Sequence, residues 1–216
     1  METMRYVTEL ATRLLPPDRH QGARELLVAL LRELAKGHPV RHQTLAATLG
    51  WSAERVATLL AQEPCTEYDG DGNVIGYGIT LRETAHTFEI DGRRLYTWCA
   101  LDALMFPVLI GKTALVRSRC PATRLPISLT VSPDGVRDVE PAGAAVSLPP
   151  PETAGNIRSS FCCHVHFYAA AASAAQHSQS KHSGVELLSI QDAFCIGRGI
   201  AHILATGSRV PLLRRN

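Results

Sequence analysis

The sequence predicts an α+β protein, in which an N-terminal winged-helix-like helical domain is followed by a mostly antiparallel β-sheet domain with flanking helices. Three observations carry this prediction. The first eighty residues run helix, short helix, helix, hairpin, the order of a winged helix-turn-helix. From Thr84 onward, short alternating stretches take over, separated by glycine and proline turns. Across 216 residues, 45% are hydrophobic and 19% charged, enough apolar material for a sizeable core without disulfide or metal staples. We place the domains at residues 1–80, winged-helix-like, and 81–216, α+β.

Each element has a local reason. Ala23, Leu26, Leu27, Leu30, Leu31 and Leu34 recur at helical spacing within residues 22–36, and Lys36-Gly37 close that helix. A short helix at residues 44–49 stops at Gly50. Ser52 caps the next, whose Ala53, Val56, Leu59 and Leu60 line one face. Residues 65–81 read as a hairpin with a glycine-rich tip. That tip, Asp69-Gly70-Asp71-Gly72-Asn73, imitates a calcium loop, but Val74 and Thr80 stand where such a loop needs Gly and Glu, so it is a turn. Strands at residues 86–90 and 93–96 flank Asp91-Gly92. A helix carrying Cys99 follows, ended by Pro107, which pushes Phe106 out of helical geometry. Strands are expected at 113–118, 126–131 and 136–139. Pro149-Pro150-Pro151 leads to a short helix near 152–158, then a strand at 161–168. Residues 169–184 read as a weak helix or mobile loop, 191–205 as the last helix, and 209–216 as a frayed basic tail.

Charge and composition exclude several classes. A net charge of +2 argues for neither nucleic acid nor an anionic membrane. Residues 1–80 carry eight Arg/Lys against ten Asp/Glu, and the would-be recognition helix offers Arg55 offset by Glu54. Phosphate contact needs concentrated positive charge, so the winged-helix module reads as a packing domain rather than a DNA reader. No apolar signal region follows Met1-Glu2-Thr3-Met4-Arg5, and no apolar run approaches the roughly 20 residues of a membrane span. The expected location is the cytoplasm, where the six cysteines stay free.

The candidate chemistry lies in two stretches. In Trp98-Cys99-Ala100-Leu101-Asp102, a helix sets Cys99 and Asp102 on one face, their Cβ atoms roughly 5–6 Å apart. The apolar neighbours exclude water, so the carboxyl holds its proton longer than a free one. In Phe161-Cys162-Cys163-His164-Val165-His166-Phe167, strand alternation puts Cys162, His164 and His166 on one side. Cys163 falls in the apolar row and reads as a small buried hydrophobe. Alternation alone leaves open which row lines a site. A zinc centre competes, but Cys162, His164 and His166 on a strand span roughly 13 Å and one ion cannot take all three. A His-x-His pair with Cys99 or Asp102 stays open, although backbone hydrogen bonding is the preferred role for both histidines. Cys120 and Cys195 read as structural, and Cys65 as incidental. No phosphate-binding loop, Gly-x-Gly-x-x-Gly or Gly-x-Ser-x-Gly motif is present.

These two stretches, with Leu31-Arg32-Glu33-Leu34-Ala35-Lys36-Gly37, Tyr68-Asp69-Gly70-Asp71-Gly72-Asn73 and Leu81-Arg82-Glu83-Thr84, resemble the organomercurial lyases (alkylmercury lyases) of bacterial mercury resistance. The resemblance runs along nearly the whole chain. It implies protonolysis of a carbon–mercury bond, with Cys99 and Cys162 as the thiols that hold mercury and Asp102 as the proton donor. It implies a winged-helix-like N-terminal domain that belongs to an enzyme. It implies Hg(II) passing to mercuric reductase, directly or through small thiols. Such a reaction needs no cofactor, but external thiol for turnover. The competing readings are a winged-helix metal- or thiol-sensing transcription regulator using Cys99 and Cys162, and a zinc hydrolase.

Overall fold

The computed structural model describes residues 3–16, 22–151, 156–173 and 184–208. The expected tail at 209–216, and parts of the segments expected at 152–158 and 169–184, lie outside them. Among the described residues no helix is long and apolar enough to cross a membrane.

The N-terminal part has four helices: α1 (Thr3–Leu14), α2 (Ala23–Leu34), α3 (His42–Leu49) and α4 (Ala53–Ala61). The sequence reading missed α1. Its buried Tyr6, Val7, Leu10 and Ala11 recur at helical spacing, so the signal was present. Ser52 caps α4, its side chain accepting from the Arg55 N–H at 3.2 Å. The hairpin is β1 (Glu67–Tyr68) with β2 (Val74–Tyr77), turned by Asp69, whose Oδ1 accepts the N–H groups of Asp71 and Asn73 at 2.9 and 2.8 Å. Val40 and Val74 exchange backbone hydrogen bonds of 2.8 and 2.9 Å, which ties the helices to this hairpin.

The hairpin does not stand apart. It continues through β3 (Ile79–Thr80) into β5 (Arg93–Thr97), β4 (His86–Ile90), β6 (Ala114–Arg119), β7 (Pro126–Val131) and β8 (Val136–Glu140). These eight strands form one antiparallel sheet in the order β1-β2-β3-β5-β4-β6-β7-β8. A second sheet, β10-β9-β11, joins β9 (Ala145–Leu148), β10 (Phe167–Tyr168) and β11 (Glu186–Ser189).

Two helices fill the centre. Helix α5 (Ala100–Ile110) is buried on nearly every side and packs against the last helix, α7 (Ile190–Thr206), where Gly197 lies against the backbone of Met105. Helix α1 covers α7 from outside. Pro107 does not end α5, contrary to expectation: it sits inside the helix, which runs on to Ile110 and stops at Gly111 in the left-handed region. The interior proline costs on the order of 3 kcal/mol. Burial of Leu101, Leu104, Met105, Phe106, Leu109 and Ile110, each worth roughly 1.5–3 kcal/mol, outweighs it.

The second correction concerns residues 161–168. They are not one strand. Helix α6 (Ile157–Ser160) runs into a 3-10 turn at Cys162–His164, and strand geometry returns at Phe167–Tyr168. The turn is closed by His164 N–H to the Phe161 carbonyl at 2.9 Å and Val165 N–H to the Cys162 carbonyl at 3.1 Å.

Candidate active site

Cys99 does not lie on the helix face. It is the N-cap of α5, in extended geometry, and Asp102 is the third helical residue. The two form a capping box. The Asp102 carboxylate accepts the Cys99 N–H at 3.1 Å, and the Cys99 sulfur faces the Asp102 N–H in return. A Cys-x-x-Asp spacing thus fixes a thiol against a carboxyl through backbone geometry alone.

The third member arrives from the 3-10 turn. Ala100 N–H donates to the Val165 carbonyl at 3.2 Å, pinning the turn to the start of α5. The Cys99 and Cys162 sulfurs and an Asp102 oxygen then lie within 4.8 Å of one another, all three residues buried. Among the described residues this is the group of His, Cys, Asp or Glu side chains close enough to share a metal, and neither His164 nor His166 belongs to it. The structure brings these three residues together and corrects the reading of their neighbour. Cys163 is exposed, its thiol facing the Ser159 carbonyl and the His164 ring, so it is not a buried hydrophobe. The main chain of both histidines is held by the Ser147 side chain: the His164 carbonyl accepts Ser147 Oγ–H at 2.8 Å, and the His166 N–H donates to Ser147 Oγ at 3.0 Å. Cys120 is buried in the core, Cys195 is exposed on α7 and so fills no core, and the Cys65 thiol donates to Asn156 Oδ1, the cap of α6.

Burial dominates the electrostatics. It raises the Asp102 carboxyl to about 7, opposed by the hydrogen bonds from Cys99 and by the positive charge of Arg158. It also pushes the Cys99 thiol well above its usual range, reinforced by the neighbouring Cys162 and Asp102. The resting site is therefore a protonated Cys99 thiol beside a carboxyl poised to gain or lose a proton near neutral pH. Sequence reasoning missed the surround. Arg158 stacks over the Trp98 ring at 4.7 Å and pairs with the buried Glu67. Tyr6 of α1 donates to the Pro149 carbonyl at 2.8 Å, and its own ionisation is suppressed by burial and by Cys99. Arg13 bonds Ser160 and the Pro151 carbonyl.

An apolar recess reaches Asp102 and Cys162, and is otherwise lined by Leu14, Leu27, Tyr77, Gly78, Trp98, Met105, Phe106, Ile157 and Leu204. Gly78 is required at its rim: its φ is +75°, and a Cβ there would collide with the Phe106 ring.

Two buried thiols and one carboxyl, gathered at the start of a central helix beside an apolar recess, form a donor set that suits a soft metal. Residues 79–202 match the alkylmercury lyase family model, and residues 5–78 match the helix-turn-helix domain of alkylmercury lyase. An alkylmercury lyase of Pseudomonas putida is 53% identical over 96% of this chain and 98% of its own. Another, of Streptomyces lividans, is 42% identical over 94% of this chain and 96% of its own. The crystal structure of the mercury-bound form of MerB2 shares the fold, with a TM-score of 0.79 over 93% of this chain and 99% of that one at 19% identity. The chain belongs to the alkylmercury lyase family, whose reaction is cleavage of the carbon–mercury bond. The regulator alternative gains nothing, since the helix-turn-helix match is to that enzyme's own domain.

Proposed function

We propose that this lyase works by protonolysis, with Cys99 and Cys162 holding the mercury and Asp102 moving the proton. The observation that carries this is the buried cluster of two sulfurs and one carboxyl within 4.8 Å. Soft thiolates select soft metals. An organomercurial arrives as the adduct of a small thiol. One cysteine displaces that thiol on mercury, and its proton leaves with the displaced thiol. The other cysteine passes its proton to the Asp102 carboxylate and binds mercury as well. Two thiolates push electron density toward the bound carbon and make it more basic. Asp102 then gives the proton to that carbon. The carbon–mercury electron pair becomes a carbon–hydrogen bond, the hydrocarbon leaves, and Hg(II) stays on the two sulfurs. Mercury does not change oxidation state, so no redox cofactor takes part.

A carboxyl raised to about 7 suits both halves of this transfer at neutral pH, because it neither holds nor refuses the proton strongly. The apolar recess takes the organic group. Turnover needs external thiol to remove Hg(II) from the sulfurs. The acceptors are small thiols or mercuric reductase, in a reducing cytoplasm where Cys99 and Cys162 stay free. Purified protein with excess thiol and a phenylmercury salt should release benzene without added metal or nucleotide. Absence of benzene would remove the reading.

A further inference from the structure

The turn that carries Cys162 is held from the other end of the chain. Helix α6 is a single turn, Ile157–Ser160, and Cys162 follows two residues after it. A helix this short does not hold itself in place, so tertiary bonds decide where it sits. One face of α1 supplies such bonds, through Tyr6 and Arg13, which lie about two helical turns apart. Tyr6 donates to the Pro149 carbonyl at 2.8 Å. Arg13 forks: Nη1 donates to the Pro151 carbonyl at 3.2 Å, and Nη2 donates to Ser160 Oγ. Ser160 Oγ in turn donates to the Asn156 carbonyl at 2.7 Å, so the fork grips α6 along its length. Helix α1 is itself anchored, with Tyr6, Val7, Leu10 and Ala11 buried and α7 packed beneath it. The Arg13 guanidinium also lies within electrostatic reach of Cys162.

We propose that Arg13 is a positioning residue for the second mercury thiol: it fixes Ser160, and through it the turn that presents Cys162 to Cys99. The inference rests on the lyase reading above, in which both sulfurs hold mercury, and adds a residue of the N-terminal module to the machinery. The two sulfurs lie within 4.8 Å only while the turn stays where it is. Misplacing a reacting group by about 1 Å can cost roughly 10²-fold, even when the change lies far from the chemistry. Ala100 pins the far side of the turn, at Val165, and Arg13 pins the near side, at Ser160. The helix-turn-helix module thereby acts in the reaction through a hydrogen-bonded fork.

The test compares Arg13→Ala in the wild-type and Cys162→Ser backgrounds, reading Hg(II) affinity by competition with dithiothreitol and benzene release from a phenylmercury salt. In the wild-type background Arg13→Ala should weaken Hg(II) binding and lower kcat, each by about tenfold or more. KM should stay within about threefold, because Cys99 still takes the substrate. In the Cys162→Ser background the same change should alter Hg(II) affinity by less than about twofold, since the thiol it positions is gone. Arg13→Lys keeps the charge without the fork and should recover the loss only in part. Thermal melts check folding, and should Arg13→Ala fail to fold, Arg13→Lys carries the same comparison in both backgrounds. Affinity and kcat within about twofold of wild type in the folded variant overturn the role. So does a loss of equal size in both backgrounds, which marks general loosening, or full recovery in Arg13→Lys, which assigns the effect to charge. Failure of the lyase reading itself looks different: wild-type protein would release no benzene, or Cys162→Ser would bind Hg(II) as tightly as wild type.

Discussion

The site is assembled from two stretches that are built in opposite ways. Cys99 and Asp102 are three residues apart and locked by a capping box at the start of a helix buried on nearly every side. Cys162 sits in a three-residue 3-10 turn between a one-turn helix and a two-residue strand, tied to the first stretch by the bond from Ala100 to Val165. One half of the chemistry is local geometry and the other is tertiary placement. The difference teaches where the site is robust: the thiol–carboxyl pair forms wherever α5 forms, whereas the second thiol depends on a turn held in place from outside, by Ala100 and Ser147.

The largest effects should come from removing chemistry on each side. Asp102→Asn keeps an acceptor for the Cys99 N–H but supplies no acid, so turnover should fall by roughly 10²–10⁴-fold while the protein still binds one equivalent of Hg(II). Benzene release and mercury titration check it, and undiminished turnover would strip Asp102 of its role. Cys162→Ser should cost turnover in the same range, because a hydroxyl is a poor mercury ligand. If it fell far short, one sulfur would suffice and the turn would matter less than its position suggests.

A second effect of Asp102 separates its chemistry from its fold. Its folded pKa is raised above the unfolded value near 3.8 to about 7. The folded state therefore binds the extra proton, so this contribution to stability is full below about pH 4 and is lost as pH rises to about 7. At roughly 1.4 kcal/mol per unit, wild type at pH 8 carries a penalty of up to about 4 kcal/mol that Asp102→Asn does not. Melts at pH 4 and pH 8 should show the variant gaining on wild type only at the higher pH. In activity, kcat/KM of the wild type should fall as pH drops through about 7, because the carboxyl must first be ionised to take the thiol proton. A gain independent of pH, or a flat wild-type profile, would count against the raised carboxyl.

What was legible in the sequence follows the same divide. The hairpin across Asp91-Gly92, the cap at Ser52 and the strand at 126–131 depend on neighbours in sequence, and the structure has them within a residue or so. Pro107 misled because a local penalty was weighed without the burial of the whole helix. Residues 161–168 misled because alternating apolar residues imitate a strand, while α6 and the bond from Ala100 impose a turn. The register is wrong there, yet Cys162 is buried all the same: the alternation puts it in the row with His164 and His166, the family resemblance favours that row, and the 3-10 turn carries the sulfur inward. Arg158 and Glu67 were not legible at all: they are 91 residues apart and meet only through the fold.

Gly78→Ala should act on the rim that the two stretches share. A Cβ at φ +75° collides with Phe106, which packs from α5, so the variant should lose about 1–3 kcal/mol and shift KM more than kcat. A folded variant with wild-type KM would show that the rim does not shape the pocket.

The smallest effect should fall on Cys163, the residue next to the proposed mercury ligand Cys162. Read as a strand residue in an apolar row, it would lose about 1–3 kcal/mol on conversion to serine, the cost of a hydroxyl in an apolar site. In the turn it is exposed, and its thiol faces the Ser159 carbonyl, a partner that a serine hydroxyl also satisfies. Cys163→Ser should therefore stay within about 0.5 kcal/mol of wild type, as surface substitutions do. Turnover per folded molecule should stay within about twofold, because Cys163 lies outside the cluster of Cys99, Asp102 and Cys162. Melts and benzene release on Cys162→Ser and Cys163→Ser, made side by side, read both quantities. A destabilised but active Cys163→Ser would restore the strand, and an inactive Cys163→Ser beside an active Cys162→Ser would mean the turn presents the other sulfur to mercury.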